Sequence, residues 1–148
     1  MPSNALGNAQ ALTPAQQQQV QELKARDQKV HQHEQAHLAA AGGIATSGAN
    51  YSYQLGPDGK RYAVGGEVVI DTSPGSTPQQ TVARARQIQQ AALAPADPSP
   101  ADRSVAATAA RMAAAAQQAE QSQIRTQKTS EATSEPNATI GSQVDTYA

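Results

Sequence analysis

Two histidines and a glutamate in the first third of the chain have the types and spacing of a metal-dependent hydrolase site. His33, Glu34 and His37 form the pattern H-E-x-x-H. On a helix, residues four positions apart lie on one face, one turn above the other, so both imidazoles can bind one metal ion. Glu34 flanks that face and can take a proton from a water activated by the metal. The pattern therefore predicts a zinc site with Glu34 as the general base.

Two histidines do not complete such a site, because a catalytic zinc ion uses three protein ligands and a water. The chain has no cysteine and no histidine after His37, so the third ligand is expected to be a carboxylate. Glu67 follows two glycines and precedes the apolar residues 68–70. A carboxylate is costly to bury in such a run unless something pairs with it, and a zinc ion would do so. Glu67 is the predicted third ligand, the alternative being a carboxylate paired in another way.

Tyrosines and one further carboxylate are the remaining candidates. Tyr62 is a candidate for stabilising an oxyanion, as are Tyr51 and Tyr53, and their spacing does not distinguish them. They are also the aromatic residues available for a core, because the chain has no Phe and no Trp. Asp71 can orient a ligating histidine if its segment is helical. On a strand, Asp71 would lie about 13 Å from Glu67 and is better explained as a turn or cap residue.

A long helix must position the H-E-x-x-H motif. Thr13 has the character of an N-cap and Pro14 that of a first helical residue. The glycines at 42 and 43 predict the end of the helix at about Ala41. The face expected to pack inward follows a three-then-four spacing and contains Val20, Leu23, Val30, Glu34, His37 and Ala41. The motif therefore lies in line with the buried face of its helix.

A β-hairpin is predicted after this helix. Residues 51–55 alternate with period two, residues 56–60 contain the proline and glycines typical of a turn, and residues 61–70 form the returning strand. Gly65-Gly66 indicates a bulge or a place where another backbone or a ligand comes close.

Two more helices complete the predicted α+β fold, in which the motif-bearing helix packs with the hairpin. The first starts at Thr77 and ends near Leu93, and a proline-rich connector follows it. The second starts with the capping pattern of residues 99–102, is rich in alanine, and is expected to fray after Glu120.

The 148-residue chain has room for one small domain with tails. Residues 13–122 are predicted to form the domain, and the polar segments 1–12 and 123–148 are predicted to be disordered. With a formal net charge of −1 and no basic stripe, the chain is not expected to bind nucleic acid. It has neither an apolar run long enough for a bilayer nor a recognisable secretory signal, so we expect no membrane association and a cytoplasmic location.

Three stretches occur together in a specific order. They are residues 33–40 with the motif, residues 51–71 with the sequence Y-x-Y-Q-x-G-P-D-G-K-x-Y-A-V-G-G-E-V-x-I-D, and residues 91–95 with A-A-L-A-P. In this order they resemble the SprA-related family of bacterial proteins, over approximately residues 12–115. The resemblance implies a zincin-like minimal domain and a metalloprotease activity.

The leading hypothesis is a zinc-dependent metallohydrolase, a metallopeptidase acting on a peptide or protein substrate. His33, His37 and Glu67 would bind zinc, and Glu34 would activate water. The alternative is a non-catalytic metal-binding or helical interaction protein. A position of Glu67 far from the imidazoles, with the third helix covering the metal-binding face, would favour that alternative. The sequence leaves the oligomeric state and the substrate open.

Overall fold

The structure is a computed structural model and describes residues 11–134. Three α-helices and a two-stranded antiparallel sheet confirm the predicted α+β class. The predicted disorder of residues 1–10 and 135–148 lies outside the described residues. The elements are α1 (Pro14–Ala41), one 3-10 turn (Gly42–Ile44), β1 (Asn50–Leu55), β2 (Arg61–Glu67), α2 (Pro78–Ala92) and α3 (Pro100–Thr133).

Helix α1 begins and ends as predicted. The Thr13 hydroxyl accepts a hydrogen bond from the Gln16 N–H, and the Gln16 side chain accepts one from the Thr13 N–H. This capping box satisfies donors that have no partner within the helix. Gly42 ends the helix with φ of +53°, a conformation that favours glycine. The buried residues of α1 are Val20, Leu23, Glu34, His37 and Ala41.

The hairpin docks on α1 through β2. Asp27 of α1 accepts a hydrogen bond from the Ala63 N–H at 2.7 Å, and the Arg26 side chain donates to the Val64 oxygen at 3.0 Å. Two main-chain groups of β2 are thereby satisfied by α1, which fixes the position of the strand along the helix. An apolar cluster of Val20, Leu23 and Tyr62, with Val64 packed against it, fills the space between them.

The strand pairing contains one irregularity and ends earlier than predicted. The register shifts between Ser52 and Tyr53, so that β2 carries one extra residue, as in a β-bulge. Strand β2 ends at Glu67, and only an isolated bridge between Ala45 and Ile70 continues the pairing.

Helices α2 and α3 pack against each other and close the core from the other side. The buried cluster here contains Ala41, Ile44, Ile88, Ala91 and Ala109. Three of these five residues are alanines, so the helices can approach closely, and Ile88 is the large side chain that is fully buried.

Helix α3 is longer than the sequence analysis predicted. It continues to Thr133, so residues 123–133, which were predicted to be disordered, are helical. The segment after Glu120 has no glycine or proline before Pro136, and its Ser and Thr hydroxyls bind carbonyl oxygens one turn back, as for Thr126 on Ser122. No residue of the described part of α3 beyond Ala116 is buried. None of the described helices has the length and apolar character required to cross a membrane.

Candidate metal centre

The two motif histidines face each other one turn apart on α1. Their Nε2 atoms are 3.1 Å apart, and the ring planes cross at 74°. The His37 side chain is buried, whereas the His33 side chain is 27% exposed. Both imidazoles therefore direct a nitrogen at the same point, with access from the side of His33.

A carboxylate from α3 completes the group. Asp102 Oδ2 lies 3.3 Å from His33 Nε2, and Asp102 Oδ1 lies 3.4 Å from His37 Nε2. Within residues 11–134, these three residues are the one group that could together hold a metal ion. Ligands bound tetrahedrally to zinc at about 2.0–2.1 Å are separated by about 3.3–3.4 Å. The two Asp102 distances involve different oxygens, and with one donor atom from each residue the three donors lie within 4.8 Å of one another, so they surround a space that one ion could occupy.

A main-chain hydrogen bond fixes the protonation of His37. Its Nδ1 lies 2.8 Å from the Ala91 carbonyl oxygen, and because that oxygen can only accept, Nδ1 must carry the proton. In a neutral imidazole, Nε2 then has only a lone pair, and this lone pair faces the negative charge of Asp102. Two electron-rich groups in contact need a cation or a proton between them, so the donor set suits a metal ion.

Asp102 is held in its ionised form. Burial alone would raise its pKa, but hydrogen bonds from Ser99 and the nearby imidazoles of His37 and His33 leave the pKa below the usual value for an aspartate. Asp102 also belongs to the capping box of α3, since its Oδ2 accepts the Ser99 N–H at 2.7 Å. An ionised carboxylate held by a helix cap is a suitable metal ligand.

Glu34 is the unsatisfied group of the centre. Glu34 is 3% exposed, and its Oε2 atom is buried without a hydrogen-bond partner among the described residues. Burial raises its pKa, the imidazoles of His33 and His37 act in the opposite direction, and the charge of Asp102 raises it further. A buried carboxylate of this kind is costly to fold and is typical of functional sites.

Glu67 lies outside the group of three, and Asp102 stands beside the imidazoles in its place. Glu67 is the last residue of β2, paired with Asn50, and it is exposed. It is not in the group that the structure forms around the two histidines, although its charge contributes to the raised pKa of Glu34. The role of Glu67 as a ligand stays a prediction.

The hydroxyl of Tyr62 is occupied at the hairpin turn. It donates to Asp58 at 2.5 Å, and this hydrogen bond raises the pKa of Tyr62 to about 12. Tyr62 is also part of the apolar cluster between α1 and β2. The structure therefore gives Tyr62 a place in the core, which is one of the two sequence-based interpretations, and pairs its hydroxyl with Asp58.

Asp71 joins the segment after β2 to α2. It forms an ion pair with Arg84 and accepts hydrogen bonds from the Ser73 hydroxyl and N–H. The Ser73 hydrogen bonds, with the charge of Arg84, lower the pKa of Asp71. Asp71 thus acts as a turn residue, which was one of the sequence-based alternatives, and it orients no histidine.

Tyr51 is close enough to the centre for the charge of Glu34 to affect its hydroxyl. Its ring stacks on His31 with centroids 4.4 Å apart. Burial raises the pKa of Tyr51, and the charge of Glu34 raises it further. Tyr53, in contrast, is 48% exposed and lies under the Arg61 guanidinium.

The sequence does not single out Asp102 as a metal ligand, because its role in a helix cap already explains an acidic residue at this position. In the pattern of residues 99–102, an acidic residue three positions after serine reads as a helix cap, and the structure confirms that cap. One feature of the sequence is consistent with a ligand role. The cap hydrogen bond needs one carboxylate oxygen of Asp102, and the second oxygen can bind a nearby cation.

Two cavities border the centre. A small one of about 70 Å³ lies against His37 and Asp102. A larger one of about 470 Å³ lies against His33, between α1 and the connector residues 95–97. The larger cavity gives a ligand access to the exposed imidazole.

Comparison with known proteins agrees with the resemblance seen in the sequence. No curated protein and no solved structure matches the chain. A family model, that of the SprA-related family, matches residues 5–147. Because this match spans nearly the whole chain and includes every residue of the metal centre, the protein belongs to the SprA-related family.

Proposed function

We propose that this protein is a zinc-dependent metallohydrolase that cleaves peptide bonds. His33, His37 and Asp102 would hold zinc, and Glu34 would act as the general base. The observation that carries the proposal is the buried, unpartnered Oε2 of Glu34 next to three donors at ligand spacing. A structural metal site has no use for such a carboxylate, whereas hydrolysis requires one.

The donor set favours zinc over harder cations. Two imidazole nitrogens and one carboxylate oxygen form the three-ligand set of catalytic zinc sites, whereas Mg²⁺ and Ca²⁺ prefer sites made of oxygen. When bound, zinc would supply a Lewis acid that activates water and polarises a carbonyl group.

Residues of the chain itself would orient the ligand His37 and transfer the proton. Ala91 fixes the ring of His37 through Nδ1, which keeps Nε2 free as a ligand. The raised pKa of Glu34 brings its carboxylate closer to the pH at which it can both take a proton from water and return it to a leaving amine. Burial also keeps bulk water from hydrogen-bonding to this carboxylate.

The test combines metal content with activity. Purified protein is expected to contain about one zinc per chain, measured by elemental analysis, and to cleave members of a peptide library. Glu34→Gln should retain zinc and lose cleavage, because the amide cannot accept the proton. His37→Ala should lose both. Stoichiometric zinc without any cleavage would overturn the hydrolase proposal.

A second candidate is a structural metal site that ties helices together. Asp102 comes from α3 while both histidines come from α1, so an ion here would link the two helices. In that case, removal of zinc would lower the thermal stability, and Glu34→Gln would change no enzymatic activity. Buried carboxylates without partners destabilise a fold, so the same variant would then raise the melting temperature and do nothing else.

A further inference from the structure

The small cavity beside His37 and Asp102 has an apolar lining that the proposed chemistry does not require. Apart from those two residues, its walls are Val68, Ile70, Thr72, Ala92 and Val105. Val68, Ile70 and Val105 are only partly buried. Ile70 and Val105 pack against the core cluster, and the cavity leaves the rest of their aliphatic surface open next to a polar, charged centre.

One wall of the cavity is a short extended segment after β2. The Asp71 N–H donates to the Ile44 oxygen at 2.8 Å, and the Val69 oxygen accepts from the Thr46 N–H at 3.0 Å. Side chains alternate along such a segment, so Val68, Ile70 and Thr72 share the face that lines the cavity. Val69 is directed away and is 46% exposed. These hydrogen bonds fix the wall, so the cavity has a definite size.

We propose that this cavity binds a small aliphatic side chain of the substrate, at a residue adjoining the cleaved bond. The assignment rests on the proposed function and specifies its substrate class. An apolar cavity is poorly hydrated, and one of about 150 Å³ holds benzene. A cavity of about 70 Å³ accordingly fits about three carbons, as in valine, and excludes aromatic rings. The carboxylate of Asp102 at its wall disfavours acidic side chains.

Cleavage preference is the first test. The zinc-loaded protein is expected to prefer peptides with alanine or valine over phenylalanine or aspartate at one position next to the cleaved bond, by about tenfold or more. Val68→Phe fills the cavity and should abolish the preference for valine. Val69→Phe is the matched control on the opposite face and should retain it. Val105→Ala should extend the preference to leucine.

Binding to the metal-free protein is a second test that does not depend on activity. Isobutanol is titrated while NMR follows the methyl groups of Val68, Ile70 and Val105. Saturable shifts of these methyl groups are expected, and they should persist in Val69→Phe. If Val68→Phe does not fold, Thr72→Phe at the exposed rim replaces it in both tests. The inference would be overturned if the wild-type protein showed no saturable shifts, or if Val69→Phe lost the shifts as fully as Val68→Phe does.

The two tests separate this inference from the proposed function. Cleavage without any preference for a side chain, and unaffected by Val68→Phe, leaves the hydrolase in place and removes the specificity site. Saturable isobutanol binding in a protein that cleaves no peptide would contradict the proposed hydrolase function and the substrate assignment that rests on it. The cavity would then be an apolar ligand site without a role in cleavage.

Discussion

Gly66 lies directly against the side chain of Glu34. A Cβ atom on Gly66 would be 2.6 Å from Glu34 Cγ and 2.9 Å from its Cδ, closer than real Cβ atoms approach other heavy atoms. The absence of a side chain at this position of β2 therefore leaves the room in which the Glu34 carboxylate is placed. The bulge predicted at the two glycines occurs next to Gly65. At Gly66 the group that comes close is a side chain, and not the backbone or ligand that the glycine pair predicts.

Gly66→Ala should displace the carboxylate of Glu34 while leaving the metal ligands in place. The added methyl group should destabilise the fold by about 1–3 kcal/mol and reduce peptide hydrolysis by about a hundredfold, with zinc content unchanged. Gly65→Ala is the matched control, because a Cβ there meets only the Cβ of Ser52 at 3.9 Å. Equal activity of the two variants would show that Gly66 does not position Glu34.

Asp102→Asn should weaken zinc binding more than Glu67→Gln. Asparagine keeps an oxygen for the Ser99 N–H, so the cap of α3 is preserved, but the charge that faces the imidazoles is lost. Loss of a ligand should exceed the roughly 10–100-fold cost of losing an outer partner of a metal site. Titration with a zinc chelator measures the affinity. A larger effect of Glu67→Gln would restore the ligand set predicted from the sequence.

Tyr62 should ionise at a higher pH than a free tyrosine. Its hydrogen bond to Asp58 raises its pKa from 10.0 to about 12. Because the folded value is raised, this contribution to stability is fully present below pH 10 and is lost as the pH rises toward 12. Tyrosinate absorbance during alkaline titration reports the ionisation. Asp58→Asn should bring the pKa of Tyr62 down, whereas Asp97→Asn, at an exposed site, should not. An unchanged titration in Asp58→Asn would contradict the assignment.

Truncation after Glu120 should leave the domain folded. The described part of α3 beyond this residue buries no side chain, whereas Glu120 itself accepts a hydrogen bond from Gln79 at 2.8 Å. The melting temperature should stay close to that of the full chain, and the circular dichroism should show fewer helical residues. Truncation after residue 108 removes Ala109 from the core and should prevent cooperative unfolding. A large loss of stability in the first truncation would mean that the C-terminal part contacts the domain.

The sequence predicts those features that depend on neighbouring residues. Capping by Thr13 and Gly42 is local chemistry, so both ends of α1 were located, and the spacing of His33 and His37 placed their rings together. The third member of the centre depends on how α3 packs, a relationship between residues 69 positions apart. No periodicity within one segment reports such a contact.

The prediction of Glu67 rests on the apolar residues that follow it in one strand. Such a pattern cannot indicate that Asp102 of α3 lies beside the two histidines. The length of α3 was underestimated because a polar composition was taken as disorder, although the segment lacks glycine and proline before Pro136.

Asp102 has one oxygen on the Ser99 N–H and the other beside His37. A metal ion bound between the imidazoles would therefore also stabilise the first turn of α3. Hydrogen exchange at the amides of Asp102 and Arg103 would then report indirectly whether the ion is bound. Loss of the ion should first increase the fraying of that helix end.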